Sequence, residues 1–382
     1  MFGRSLLDPK TSTVAFDVAA PETDVTFTVT RGHDFTSLPV VVTKRLKPRE
    51  TLTENVVIPT LINPASRNWY NADIHQHSDI GDGASPVKEL YKAQLAAGLN
   101  LHAISDHDSV ANNAAMQGFA KEGGLPFLSN LEVSPGWGHW GILGVDYSQK
   151  PISPNLTPAE IIKAGHDQNA LVVMHHPFTD YGFLNNRSGV KGGFDAGSED
   201  FDFLELQSTI KLEDPKNMDK RALDAAMEYW NKGKKVYLSS GSDQHDVTSG
   251  LYPGIIRLYA HVEGPVNAKA FMQAMKEGHS YVTMGPIITP ATTSMFGSTQ
   301  HVAAGKALPL TMELQAVNGL KKVTVFSEGK EVATQELNGT KEPVAYALEV
   351  TPAKDTWYNV VVQDAKGRYA VTNPIWVEVG KR

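Results

Sequence analysis

The sequence contains no cysteine. Disulfides, thiolate ligands and a cysteine nucleophile are therefore excluded, and any metal ion must be held by nitrogen and oxygen donors. No apolar run approaches the roughly 18 residues of a membrane span, so we expect a soluble chain without one. The N-terminus, Met1-Phe2-Gly3-Arg4-Ser5-Leu6-Leu7-Asp8, lacks the apolar stretch of a secretory signal. Export stays open, because a mature form of a periplasmic or secreted protein would look the same. Positive charge is not in excess either. A net charge of −7 argues against nucleic acid held on a broad basic surface, although a local basic pocket for an anionic small molecule is compatible with it. Internal repeats and low-complexity tracts are absent, which excludes a solenoid.

What is present is ordinary for a globular protein. The chain has 382 residues, 41% hydrophobic and 20% charged, enough for two or three units. From about 13 to 58 it alternates in the β manner, as in Val25-Thr26-Phe27-Thr28-Val29, and we expect a small N-terminal β unit over residues 1–68. The β pattern returns from about 308 to 379, with turn signals such as Asn338-Gly339, and predicts a C-terminal β-sandwich over 293–382. Between them, over 69–292, strands alternate with amphipathic helices, the signature of an α/β unit. Helix punctuation is explicit: Ser85-Pro86 to Gly98, a capping box at Thr157-Pro158-Ala159-Glu160, and helices closed by Gly233 and Gly278.

Seven of the thirteen histidines, His75, His77, His107, His139, His175, His176 and His245, fall in or beside five short stretches that follow predicted strands. These are His75-Gln76-His77, Ser105-Asp106-His107-Asp108, Asn130-Leu131-Glu132, His175-His176-Pro177 and Gly241-Ser242-Asp243-Gln244-His245. Residues two apart on a strand point the same way, so His75 and His77 can chelate one ion, and Asp243 and His245 repeat that spacing with a mixed pair. Glu132 adds a carboxylate able to bridge two ions about 3.5 to 4 Å apart. Imidazoles and carboxylates suit Zn, Mn or Fe. In a βα barrel, the carboxyl ends of the strands are where active sites lie.

These residues resemble the PHP (polymerase and histidinol phosphatase) metallohydrolases, most closely the CehA/McbA branch. The resemblance rests on Asp73-Ile74-His75-Gln76-His77, Gly81-Asp82-Gly83, Ser105-Asp106-His107-Asp108, Leu131-Glu132-Val133, Gly138-His139-Trp140, His176-Pro177 and Gly241-Ser242-Asp243-Gln244-His245, and covers roughly 69–290. It implies a distorted (βα)7 barrel holding two or three divalent ions. His75, His77, Glu132 and Asp243 would hold one, with Glu132 bridging to a second bound by His139 and His176. Asp82, His107 and His245 would form the remaining cluster, although Asp79 lies in the same loop and Gly81-Asp82-Gly83 departs from the usual Ser-Asp-Gly.

The implied chemistry is ester hydrolysis by a metal-bridging hydroxide, with a small anionic ester as substrate. Phosphoesters lead, and carbamate or carboxylic esters are the alternative. A non-catalytic binding protein with a decayed site would be missing ligands, and none is missing here. The leaving-group acid is open between metal-bound water, His175 and Asp108. His175 also reads as a residue that orients a ligand, as do Asp73, Asp106 and Asp108. Trp137 and Trp140 flank His139 and suit an aromatic leaving group or, equally, core packing. Tyr181, Arg187 and Lys191, in the glycine-containing stretch after His176, are candidate substrate contacts on a lid.

Overall fold

The structure, a computed structural model, describes residues 6, 11–18, 23–190, 192–193, 195–207, 209–248 and 251–380. It is a mixed α/β molecule with much more sheet than helix. The helices follow the punctuation. Val87–Ala97 stops at Gly98, which turns left-handed at φ 73°, and Pro158–Asp167 begins behind a reciprocal capping box between Thr157 and Glu160. Each buries an apolar stripe, Ile161 and Ile162 in the second case, against strands such as Leu171–Met174, whose four residues are all buried.

The strand–helix alternation is less regular than seven repeats would give. Six α-helices occur among the described residues, one of them the single turn Phe183–Asn186. Strand Trp140–Leu143 runs antiparallel to both its neighbours, Glu132–Val133 and Leu171–Met174. Parallel pairing then continues from Leu171–Met174 through Phe203–Leu206 to Tyr237–Ser240. Beyond the strands proper, single backbone bonds join the histidine-rich stretches. His77 N donates to Gln244 O (2.8 Å), Asp243 N to His75 O (3.0 Å), Ser105 N to Gln76 O (2.9 Å) and Asp108 N to Glu132 O (2.8 Å). Residues distant in sequence are thereby set side by side at one end of the strands.

The C-terminal strands form two layers around a shared core of Leu310, Met312 and Leu314 from one sheet and Val323, Val325, Val360 and Val362 from the other. Strand Leu308–Gln315 alternates buried and solvated residues, as a one-sided sheet must. One of the two layers is not confined to the C-terminal segment. Tyr369–Thr372 pairs antiparallel with Ser280–Thr283, which pairs with Arg257–His261 and so with Trp69–Ala72. A continuous sheet thus runs from the C-terminal layer to the strand that leads into His75.

The N-terminal segment differs from the expected β unit. It forms a two-stranded hairpin, Asp24–Val29 with Val40–Arg45, in which no strand residue is buried, so it has no core of its own. Its connecting loop docks on the body instead. Asp34 is 8% exposed and accepts bonds from both ends of the Arg368 guanidinium (2.6 and 3.0 Å), from Lys366 Nζ (2.8 Å) and from Asn318 Nδ2 (2.8 Å). Burial alone would raise the Asp34 pKa, but Arg368, Lys366 and Asn318 hold it well below the carboxylate range. A depressed folded pKa contributes stability that is present above the ordinary value near 4 and lost as pH falls through and below it. Asp34→Ala, which leaves the Arg368 guanidinium without its main partner, is expected to destabilise the protein by about 3 kcal/mol at pH 7. The difference from wild type should shrink as pH falls below about 4, read from urea midpoints; an equal effect at pH 7 and pH 3 would contradict the assignment.

Candidate metal centre

The centre is organised around one carboxylate. Glu132 is fully buried at the start of a two-residue strand, and six imidazole nitrogens surround it. His75 Nε2, His77 Nε2 and His107 Nδ1 each lie 3.2 Å from Oε2, while His139 Nδ1 and His176 Nε2 lie 3.2 Å and His175 Nδ1 2.9 Å from Oε1. A carboxylate has about four lone-pair directions, and a neutral imidazole has a single N–H. Six nitrogens cannot all be donors to it. Oε2 in fact accepts no hydrogen bond of acceptable geometry despite its three close nitrogens, an orphaned buried oxygen that calls for another partner.

A cation satisfies these contacts. His75 Nε2, His77 Nε2, Glu132 Oε2 and Asp243 Oδ1 form a compact group with five separations of 3.1 to 3.2 Å. A tetrahedral ion with bonds of about 2.0 Å has ligand–ligand edges of about 3.3 Å, so the donor set fits a divalent ion. His107, Glu132 and His139 form a second group, and His176 joins His139 on Oε1. A third comprises His77, Asp82, His107 and His245, where Asp82 Oδ2 lies 3.5 Å from His107 Nε2 and 3.3 Å from His245 Nε2. The second nitrogen of His77 is buried without a partner.

Electrostatics follow from the crowding. Burial works against charge on His75, but Glu132, Glu205 and Asp243 outweigh it and hold the imidazole well above its ordinary value. Burial likewise opposes charge on His77, and Asp243 and Glu132 push it up to about 9. Glu132 and Asp243 would be raised by burial, yet the facing imidazoles hold both well below the carboxylate range.

Glu205 was not found from sequence. Its Oε1 lies 2.7 Å from His75 Nδ1, fixing the ring so that Nε2 faces the cluster, and its Oε2 accepts from the backbone N–H of His176 at 2.8 Å. Its signal was a charged residue inside the otherwise apolar, fully buried strand Phe203–Leu206. Gln207 was missed too; its Nε2 donates to Asp243 Oδ2 at 3.2 Å. Glu205→Gln should weaken divalent-metal affinity about 10- to 100-fold, measured by chelator competition. Unchanged affinity would sink this role.

Local backbone is shaped for the site. Asp108, His176 and Asp243 all sit at positive φ (51°, 24° and 53°), a conformation costing roughly 1–3 kcal/mol that persists where surroundings impose it. Gly241 cannot be replaced cheaply, since a Cβ there would lie 2.0 Å from His75 Cβ. The carboxylates expected to orient imidazoles bind other groups instead. Asp73 accepts from the backbone N–H groups of Ser242 and Gly254, Asp106 from Ser78, and Asp108 from Ser134 N.

Several candidate residues lie elsewhere than expected. His175 is completely buried, stacked on His75 with centroids 3.7 Å apart, and its free Nε2 faces the backbone of Gly141, so it is closed off from any substrate. Trp140 is fully buried against Phe183 and Phe201 and belongs to the core. Trp137 is half-buried against Phe183. Arg187 is exposed and its charge acts on Tyr229, on the helix Met218–Asn231. Lys191 falls outside the described residues. Tyr181 does reach the centre: its ring centroid is 5.0 Å from those of both His139 and His176, with 44% of the residue exposed. Asp108 is half-buried beside Glu132, and burial raises its carboxyl pKa.

No protein-family model matches the chain. Over 90 residues it is 33% identical to the 3',5'-nucleoside bisphosphate phosphatase of Chromobacterium violaceum, covering 22% of this chain and 32% of that protein. Over 85 residues it is 33% identical to the 5'-3' exoribonuclease of Haemophilus influenzae, covering 22% and 31%. The matches thus span about a third of the length of these curated relatives. Among solved structures, a two-domain protein from Bacteroides vulgatus containing a predicted PHP-like metal-dependent phosphoesterase superposes with a TM-score of 0.45 at 10% identity, covering 81% of this chain and 96% of that one. No helix among the described residues is long and apolar enough to cross a membrane.

Proposed function

We propose that the chain is a metal-dependent phosphoesterase of the PHP class, in the CehA/McbA branch, with a distorted (βα)7 barrel between its N-terminal hairpin and C-terminal sandwich. The observation that carries this reading is the buried Glu132 carboxylate with six imidazole nitrogens within 3.2 Å and one oxygen left without a hydrogen bond. His75, His77, Glu132 and Asp243 would hold one divalent ion, Glu132 with His139 and His176 a second, and Asp82, His107 and His245 a third, each Zn, Mn or Fe. Such ions supply an activated water and positive charge for the leaving oxygen.

The chain's own groups do the rest. Tyr181 stands over the cluster with its hydroxyl available to a substrate oxygen, and Asp108, whose carboxyl burial raises, delivers a proton to the leaving group. Trp140 is buried out of a substrate's reach and Trp137 is half-buried against Phe183, which favours the phosphoester reading over a carbamate or aryl ester. The curated relatives are named for phosphate-ester chemistry on nucleotides and RNA. We therefore infer a small anionic phosphoester and keep nucleotide substrates in view, since the net charge excludes only a broad basic surface.

The test is initial rates with Mn, Zn or Fe(II) on p-nitrophenyl phosphate, its bis-ester, p-nitrophenyl acetate and 1-naphthyl N-methylcarbamate. We expect chelator-sensitive turnover of the phosphate esters. A preference for acetate or carbamate, or silence on all four with metal bound, would overturn the proposal.

A further inference from the structure

The loop of the N-terminal hairpin touches none of the metal-ligand candidates, yet a short chain of contacts joins it to them. Phe35 is fully buried and lies under the Arg257 guanidinium, whose carbon is 4.1 Å from the ring centroid. Arg257 is itself 2% exposed and forms no carboxylate ion pair within 4 Å among the described residues. It donates from Nε to Gly254 O (3.0 Å) and from Nη2 to Ala97 O (2.6 Å). The guanidinium is held by these two carbonyls and the Tyr259 hydroxyl, the Asp73 carboxylate acts on it electrostatically, and Phe35 covers its flat face. Gly254, left-handed at φ 73°, turns its N–H onto Asp73 Oδ2 at 2.7 Å. The other oxygen of Asp73 accepts from Ser242 N (3.0 Å) and faces His75 N (3.5 Å). Asp73 therefore ties together the two backbone stretches that present His75 and His77 on one side and Asp243 on the other.

The rest of the loop shows the same close fit. His33 Nδ1 and the Tyr252 hydroxyl are 2.7 Å apart, which ties the loop to the segment carrying Gly254. Gly32 approaches so near the end of helix Val87–Ala97 that a Cβ there would be 2.6 Å from Ala97 Cα. A hairpin with no core of its own, held by its tip against this relay, has more contact with the body than linking two strands requires.

We propose that Phe35 is a positioning residue for the metal ligands, acting through Arg257, Gly254 and Asp73 on His75 and Asp243. The inference rests on the reading of the cluster as a metal site, and its test reads metal binding rather than turnover.

The experiment uses the full chain, with the Co(II) dissociation constant from chelator competition and the visible spectrum of the Co(II) form as readouts. Phe35→Ala should weaken Co(II) binding about 10- to 100-fold, in the range of other supports of metal ligands, and change the spectrum. Phe35→Tyr, which keeps the ring face, should restore both. Leu337→Ala, a truncation in the same C-terminal core cluster but not a member of the Phe35–Arg257–Gly254–Asp73 relay, should lower the melting temperature with affinity and spectrum unchanged. Should Phe35→Ala not fold, Arg257→Lys, which keeps the charge but loses the planar fork reaching both carbonyls, carries the same expectation. Wild-type affinity and spectrum in the folded variant, or an equal loss in Leu337→Ala, would overturn the proposal. Wild-type protein that binds no Co(II) would instead overturn the metal-site reading beneath it.

Discussion

Glu132→Gln is expected to lose bound metal and to lower kcat/KM for a phosphate ester by about 10³- to 10⁴-fold, the equivalent of several kcal/mol of charge stabilisation. The volume is unchanged, so the effect is electronic. One oxygen becomes an amide nitrogen whose two N–H groups would point at imidazole lone pairs, and the charge that draws two donor groups onto one carboxylate disappears. Because Oε2 faces His75, His77 and His107 and Oε1 faces His139, His175 and His176, a single substitution disables both groups together. Asp82→Asn offers the contrast. The Asp82 side chain is 61% exposed and, among the described residues, its ion-pair contacts are His107 and His245, so its loss should reduce metal content by at most one ion and cost less activity. Elemental analysis of the purified variants beside their kinetics decides the matter. A Glu132→Gln protein with wild-type metal content and turnover would refute the bridging role.

The ligand candidates were readable because their grouping is local: His-x-His and Asp-x-His each place two donors on one strand end, and a strand end needs only a few residues to declare itself. Glu205 was hidden for the opposite reason. It supports a ring 130 residues away, and a single glutamate in a short apolar strand carries no spacing to read. Strand Trp140–Leu143 is hard to read from sequence because four residues with one glycine give no alternation, while its direction is set by pairing on both sides.

The hairpin strands were visible as an alternating pattern, but alternation reports which side faces a neighbour and says nothing of whether that neighbour exists; here both faces remain largely solvated. Asp34 and Phe35 look like loop residues in sequence, and only their remote partners Arg368 and Arg257 make them structural. The continuous sheet through Ser280–Thr283 and Tyr369–Thr372 was invisible for the same reason, since its pairs lie about ninety residues apart. Trp140 shows the limit on the chemical side: a tryptophan next to a ligand candidate on a strand points away from the side that ligand serves.

Metal-free protein should lose stability as pH rises from about 6.5 to 9, whereas metal-loaded protein should not. In the metal-free state the His75 and His77 imidazoles face Glu132 and Asp243 and are raised, His77 to about 9 and His75 well above its ordinary value. A histidine whose folded pKa is raised contributes stability that is complete below its unfolded value near 6.5 and disappears as pH climbs through the folded value. For His77 alone the shift corresponds to about 3 kcal/mol. Buried tyrosines such as Tyr259 and Tyr281 act above this window, and the other strongly perturbed buried acids and imidazoles act below it. Burial raises Asp73 and Asp219 to about 6 and lowers His33, His102 and His107 to about 4, so their contributions change below the window. A divalent ion requires the neutral imidazole, so it displaces these protons and removes the dependence. Two measurements follow: urea midpoints of chelator-treated and loaded protein at pH 6.5, 7.5 and 9, and titration calorimetry at pH 7 in buffers of different ionisation enthalpy. The midpoint should fall with pH only in the treated sample, and metal binding should release protons to the buffer. A flat metal-free profile together with no proton release would mean that the imidazoles already stand neutral, and that the carboxylates do not polarise them as the geometry requires.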